Sequence, residues 1–168
     1  MATKTMQDLL IEELRDIYHA EKQLTRALPK LAKAASNEKL KQAFQQHLEE
    51  TRGQLERLEQ VFEKLDTRTR GKHCHAMEGL VEEAKEIMEQ GLPPELLDAA
   101  LVVAAQKVEH YEIASYGSLV AYAQAAGLKE VADLLSQTLS EEKETDQKLN
   151  QLAISEINQR AVESSKAA

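Results

Sequence analysis

Apolar side chains recur every three or four residues through four long stretches of the chain, and little interrupts them. Leu10, Leu14, Ile17, Leu24, Leu28 and Leu31 form the first stripe. Leu40, Phe44, Leu48, Leu55, Leu58 and Phe62 form the second. Leu97, Leu101, Val108 and Leu119 form the third, and Val131, Leu135, Leu149 and Leu152 the fourth. That period is one face of an α-helix. The 168 residues include only 6 glycines and 3 prolines, too few turn formers for a sandwich or barrel. The hydrophobic content of 42% is enough for a packed core and excludes a disordered chain. An all-α fold follows.

Punctuation sets the boundaries. Thr5 with Asp8 three residues on reads as an N-cap, and Ser36-Asn37 as a tight turn with a new N-cap. Gly91-Leu92-Pro93-Pro94 stops one helix and starts another, and Gly127 suits a C-cap. The spacing predicts long helices near 6–35, 37–66, 94–126 and 128–158, with a short one inside 73–90. Pro29 is expected to kink the first helix, and the polar tail 161–168 to fray. Tight loops make antiparallel hairpins, so the expected architecture is a four-helix bundle whose crossover carries the short helix. All of it fits one domain, 1–168, with a helical core over about 5–160. A shift of 91 residues superposes Leu10 on Leu101, Ile17 on Val108, Glu21 on Glu112 and Glu50 on Glu141, a weak internal repeat.

The formal charge of −8 repels phosphate backbones and argues against a nucleic-acid partner. No run of 18 apolar residues would span a membrane. One cysteine, Cys74, forms no internal disulfide and fits a reducing compartment. With no signal-peptide pattern at the N-terminus, a cytoplasmic location is expected.

Carboxylates stand on the apolar stripes. Glu21 lies between Ile17 and Leu24, Glu112 between Val108 and Ser115, and Glu142 between Thr138 and Leu149. A buried carboxylate is costly unless paired or metal-bound; any one of them alone could sit at a stripe's edge and reach water. Height separates these readings. At about 1.5 Å per residue, Glu21 and Glu50 both lie roughly 21–23 Å from the first tight loop. Glu112 and Glu142 are equidistant from Gly127. Four acids, one per helix, therefore share one level. Glu109 precedes Glu112 by one turn, Asp146 follows Glu142 by one turn, and His47 and Gln54 flank Glu50. Two divalent ions in a bundle core need carboxylates from several helices, whose charge they offset. The expected ligand set is Glu21, Glu50, Glu109, Glu112 and Glu142, with Asp146 or His47 completing it. So oxygen-rich a set suits iron or manganese better than copper or zinc.

The arrangement resembles the ferritin-like superfamily, and the site resembles that of rubrerythrin. The family's Glu-x-x-Glu matches Glu109-His-Tyr-Glu112, and its Glu-x-x-x-His matches Glu142-Lys-Glu-Thr-Asp146 with aspartate in place of histidine. Its second-helix Glu-x-x-His would need a histidine at Gly53, whereas His47 stands on the other side of Glu50. The runs YHAEKQLTRALPKLA, HLEETRGQ, AMEGLVEEA, KVEHYEIASYG and LSEEKETD resemble the bacterial YciF-type ferritin-like stress proteins over about residues 5–160. That resemblance implies a ferritin-like four-helix bundle, a homodimer and a role in stress. With the acids it points to a dimetal centre acting on peroxide or oxygen, or oxidising iron. No CxxC pairs of a rubredoxin-like domain are present, so an electron donor would be external. The alternative is a non-enzymatic protein that binds metal for structure or binds a partner. A mini-ferritin cage, whose site is shared between subunits, needs fewer acids per chain.

Tyr18, Tyr111 and Tyr116 fall within a turn of these ligands, and Tyr116 is the candidate to act on the centre; a core ring with a satisfied hydroxyl is the other reading. His73-Cys74-His75 reads as a helix start, since consecutive helical side chains diverge. Cys74 there could have a lowered thiol pKa. Gly53 and Gly117, inside helices, suggest close helix approach, room for a ligand, or simple tolerance.

Overall fold

The computed structural model describes residues 4–167; Met1–Thr3 and Ala168 lie outside the described residues. Four long helices form the bundle: α1 (Met6–Ala34), α2 (Glu38–Lys64), α4 (Pro94–Ala125) and α5 (Lys129–Leu152), with a shorter α3 (His75–Glu89) in the crossover. No strand occurs among the described residues. The fold is therefore an all-α, ferritin-like four-helix bundle, with boundaries within a few residues of those the sequence predicts.

Local chemistry explains the ends. Thr5 accepts from the Asp8 N–H at 3.0 Å while the Asp8 carboxylate accepts from the Thr5 N–H, a complete capping box. Asn37 caps α2 by accepting from the Leu40 N–H at 3.1 Å. Pro94 occupies the first turn of α4, where its missing N–H costs nothing. Gly127, at φ +71°, turns the chain into α5 in the left-handed region that glycine tolerates. The α1 helix runs unbroken through Pro29.

One buried carboxylate fixes the direction of the second hairpin. Asp98, near the start of α4, accepts from the Ser36 N–H at 2.8 Å, from the Asn37 N–H at 2.9 Å and from the Ser36 hydroxyl. Because α4 starts beside the α1–α2 turn, it runs parallel to α2 and antiparallel to α1. The crossover 65–93 therefore returns along the length of the bundle. It is tied down by the Lys72 N–H, which donates to the Arg15 carbonyl at 2.9 Å, and α3 packs across α1 and α4.

The tail differs from expectation. After α5 the chain widens into a π-helical turn, Ala153–Ile157, and continues as α6 (Asn158–Ala167). Ile157 and Ala161 are buried, and this segment packs on α4, so apolar contact holds a segment whose composition reads as polar. Glu156, in the π turn, accepts from Asn37 Nδ2 at 2.8 Å and pairs with Lys39 at 2.6 Å. It ties the tail to the start of α2.

Gly53 and Gly117 have no neighbour within 4 Å of the position a Cβ would take. Close helix approach is thus not their reason.

Candidate metal centre

Each bundle helix turns one stripe inward, and at mid-height those stripes are polar. On α1 the sequence Ile17, Glu21, Leu24 is buried; on α4, Val108, Glu109, Glu112 and Tyr116. On α5 the inward positions are Leu135, Thr138, Glu142, Thr145 and Leu149. On α2 they are Phe44, His47, Thr51, Gln54 and Leu58. Apolar layers above and below seal this level from water, so Glu21, Glu112 and Glu142 are each fully buried.

The side chains converge. His47, Glu109, Glu112 and Glu142 each offer a ligand atom, all within 4.8 Å of one another. His47 Nδ1 lies 3.0 Å from Glu109 Oε1, which leaves Nε2 as its free nitrogen. Glu21 closes the group against Glu112, and Glu109 meets Glu142. In both contacts carboxyl oxygens face each other, acceptor against acceptor, unless a proton or cation lies between them. Tyr116 Oη donates to Glu21 Oε1 at 2.6 Å.

Unmet polar atoms collect here. Among the described residues the buried side-chain atoms without a partner are Glu21 Oε2, His47 Nε2, Gln54 Oε1, Glu109 Oε2, both oxygens of Glu112 and both of Glu142, with Arg15 Nε the exception away from the site. Native proteins rarely leave buried polar groups unpaired, and each such group costs on the order of 1–3 kcal/mol.

The acids consequently resist ionisation. Burial, then the charge of Glu142, pushes Glu21 up to about 8. Burial raises Glu109 to about 8 as well, against a lowering contact with Glu142. Glu112 is held well above the carboxylate range by burial and by Glu142, Glu21 and Glu109. Glu142 is raised by burial and then by Glu109. Burial and the Glu21 carboxylate keep Tyr116 protonated.

Two expected ligands stay outside. Glu50 Oε1 accepts from Gln46 Nε2 at 2.8 Å and its Oε2 from Thr145 Oγ1 at 3.2 Å. Asp146 Oδ1 accepts from Gln106 Nε2 at 3.2 Å and lies 3.3 Å from His110 Nε2. Both are half-buried. The reason is helical phase. The inward stripe of α2 alternates three and four, 44-47-51-54-58, and that of α5 runs 135-138-142-145-149. Glu50 and Asp146 each stand one position off. The residue of α2 that the repeat of 91 places on Glu142 is Thr51, also fully buried. Gln54, whose Nε2 donates to Glu141 at 3.1 Å, keeps its Oε1 unpartnered in the core.

The other tyrosines face away: Tyr18 Oη donates to Glu59 at 3.1 Å and Tyr111 Oη to Asp16 at 2.6 Å. Cys74 is the N-cap of α3, 1% exposed, with Sγ 3.0 Å from Tyr111 Oη. Burial raises its thiol pKa, reversing the expectation of a reactive thiol.

A cavity of about 20 Å³ lies beside the acids, walled by Leu24, Phe44, Val108 and Leu149 and reaching His47 and Glu109. That volume suits about one water-sized molecule.

His47, Glu109, Glu112 and Glu142 are placed so that they could hold a metal ion, with Glu21 beside them. Four glutamates carry four negative charges when ionised, equal to the charge of two divalent ions, and the unpartnered atoms supply lone pairs aimed inward.

Among the described residues no helix is long and apolar enough to cross a membrane. Residues 5–162 match the family described as "Domain of unknown function (DUF892)". The chain is 56% identical over 162 residues to Protein YciF of Escherichia coli strain K12, covering 96% of this chain and 98% of that protein. The crystal structure of the E. coli stress protein YciF superposes with a TM-score of 0.89 at 57% identity, covering 93% of this chain and 99% of that one. A Rhodopseudomonas palustris protein superposes with a TM-score of 0.86 at 49% identity, covering 88% and 94%. A Xanthomonas campestris protein does so at 0.75 and 26%, covering 96% and 99%. The chain belongs to the DUF892 family and is of the YciF type.

Proposed function

We propose that this protein is a stress-associated metalloprotein with a dimetal carboxylate centre of iron or manganese, and that it reduces peroxide or dioxygen or oxidises iron there. The collection of unpartnered buried acceptors on Glu21, His47, Glu109, Glu112 and Glu142 carries this reading. When bound, two ferrous or manganous ions supply the two electrons that take one peroxide to two waters.

The chain's own residues would do the rest. Glu21, Glu109, Glu112 and Glu142 offer hard oxygen ligands and His47 offers Nε2, a set that suits iron or manganese. Tyr116 fixes the orientation of Glu21 by its hydroxyl and leaves Oε2 turned to the cluster. The apolar walls exclude bulk water, and the size of the adjoining cavity favours a small oxidant over an organic peroxide. Glu50, bonded to Thr145, and Asp146, bonded to Gln106, act on Glu109 by their charge. A separate protein would return electrons, and the chain would act as a homodimer. The larger exposed apolar side chains, Met6, Leu96, Val103, Ile154 and Val162, lie mostly on α4 and the tail, which makes that face the candidate dimer surface.

Anaerobic loading with two ferrous ions per chain, followed by one equivalent of peroxide, tests the reading. Loss of the peroxide with appearance of ferric absorbance in wild type, much reduced in Glu142→Gln, is expected. Peroxide that outlives the mixing as long as in protein-free buffer would overturn it. A structural role is the second reading, since the R. palustris relative carries a provisional description as a structural protein. Metal bound without peroxide loss would favour it.

A further inference from the structure

Where the crossover packs over α1 and α4, it builds a second cluster. Cys74 is extended, at φ −92° and ψ 101°. In an extended backbone the residues before and after share one side. With Cys74 turned inward, His73 and His75 are both turned to solvent, and Glu78 joins them from one turn into α3. Glu78 Oε2 lies 2.9 Å from His73 Nε2 and 3.5 Å from His75 Nδ1, and the two rings are 4.4 Å apart. The argument from diverging helical neighbours fails here because His73 precedes the helix.

The support is rigid. Cys74 is pinned through every polar group it has. Its N–H donates to His19 Nδ1 at 3.2 Å and its carbonyl accepts from Gln23 Nε2 at 3.0 Å. Its Sγ accepts from the Met77 N–H at 3.4 Å and meets Tyr111 Oη. The His19 ring packs 4.9 Å from that of His73. Neither histidine therefore depends on a mobile loop for its position.

We propose that His73, His75 and Glu78 form a surface site for one divalent transition-metal ion, independent of the core centre. Two nitrogens and one carboxylate oxygen at edges of 2.9 and 3.5 Å bracket the edge of roughly 3.3 Å expected around a tetrahedral zinc with ligands at about 2.0–2.1 Å. The 2.9 Å His73–Glu78 contact is a hydrogen bond that a neutral Nε2–H satisfies, and a divalent ion would take the place of that proton. Two rings converging on one carboxylate oxygen would repel each other if both were charged, whereas two neutral imidazoles and a carboxylate leave a divalent ion one net positive charge and an open position for water. Two imidazoles make this site softer than the core, so it favours zinc, nickel or cobalt where the core favours iron or manganese.

Zinc binding by equilibrium dialysis with metal analysis tests the proposal on the full chain. His73→Ala/His75→Ala should lose one zinc equivalent relative to wild type, while Glu142→Gln keeps that equivalent whatever it does to the core. Zinc should also move the ring nitrogen resonances of His73 and His75, and Glu78→Gln should weaken this ion at least tenfold. All three residues are exposed, so these variants are expected to fold, and circular dichroism verifies it. Equal zinc content in wild type and the double variant, or unmoved His73 and His75 resonances, would overturn the proposal and leave the core centre untouched.

Discussion

The hydroxyl of Tyr116, on α4, donates a 2.6 Å hydrogen bond to Oε1 of Glu21, on α1. Both side chains are fully buried. One oxygen of Glu21 is thereby committed, and the other is left facing the acids of α4 and α5. The bond explains why this tyrosine belongs to the site while Tyr18 and Tyr111 do not.

Removing that hydroxyl should loosen Glu21 without disturbing the fold. Tyr116→Phe is expected to keep its helical content and to lower metal affinity by about 10–100-fold, the usual effect of losing a group that orients a ligand. Isothermal titration with manganese reads this directly. Unchanged affinity would mean that Glu21 is positioned by packing alone.

The four raised glutamates set the pH dependence of the metal-free protein. Glu21 and Glu109 titrate near 8, and Glu112 and Glu142 are also raised. The folded chain then holds protons that the unfolded chain has released. The stabilisation is fully present below the ordinary glutamate pKa of about 4.5 and is lost as pH rises through the folded values. The melting temperature of chelator-treated protein should fall between about pH 5 and 8. A divalent ion reverses the trend, because it binds the ionised folded arrangement and competes with protons. The metal-induced rise should be larger at pH 7 than at pH 5, as calorimetry at the two values would show.

Glu142→Gln removes a buried carboxyl whose surroundings oppose ionisation and supplies an amide donor beside Glu109. Relief of one unmet acceptor, on the order of 1–2 kcal/mol, should leave the metal-free protein equally stable or raise its melting temperature by a few degrees. The metal-induced rise should shrink. Glu144→Gln, an exposed change without an ion pair, should do neither. A strongly destabilised metal-free Glu142→Gln would mean that Glu142 is a structural acid.

Cys74 should react slowly with thiol reagents in the native protein and at least tenfold faster in denaturant, given its burial and raised pKa. Fast native reaction would show that the start of α3 opens.

The bundle was legible because period, caps and loop lengths agree, as at Thr5, Asn37 and Gly127. The acids of α1, α4 and α5 were legible because each interrupts an apolar stripe. Equal height brought in Glu50, and one-turn spacing from Glu142 brought in Asp146; the structure sets both one position off the inward stripes, because height and spacing leave rotation about the helix axis free. The strict alternation of three and four would have rejected both and chosen Thr51 and Thr145 as the inward neighbours. Partners across the bundle, such as Asp98 with Ser36 and Glu156 with Lys39, carry no local signal. Nor does the extended backbone of Cys74, which turns its side chain inward between two exposed histidines.

An anomalous-scattering map from crystals loaded with manganese or iron addresses the dimetal centre most directly. Two peaks at mid-bundle, enclosed by Glu21, His47, Glu109, Glu112 and Glu142, are the expected result. A map from fully loaded crystals with no peak among these five residues would contradict the account.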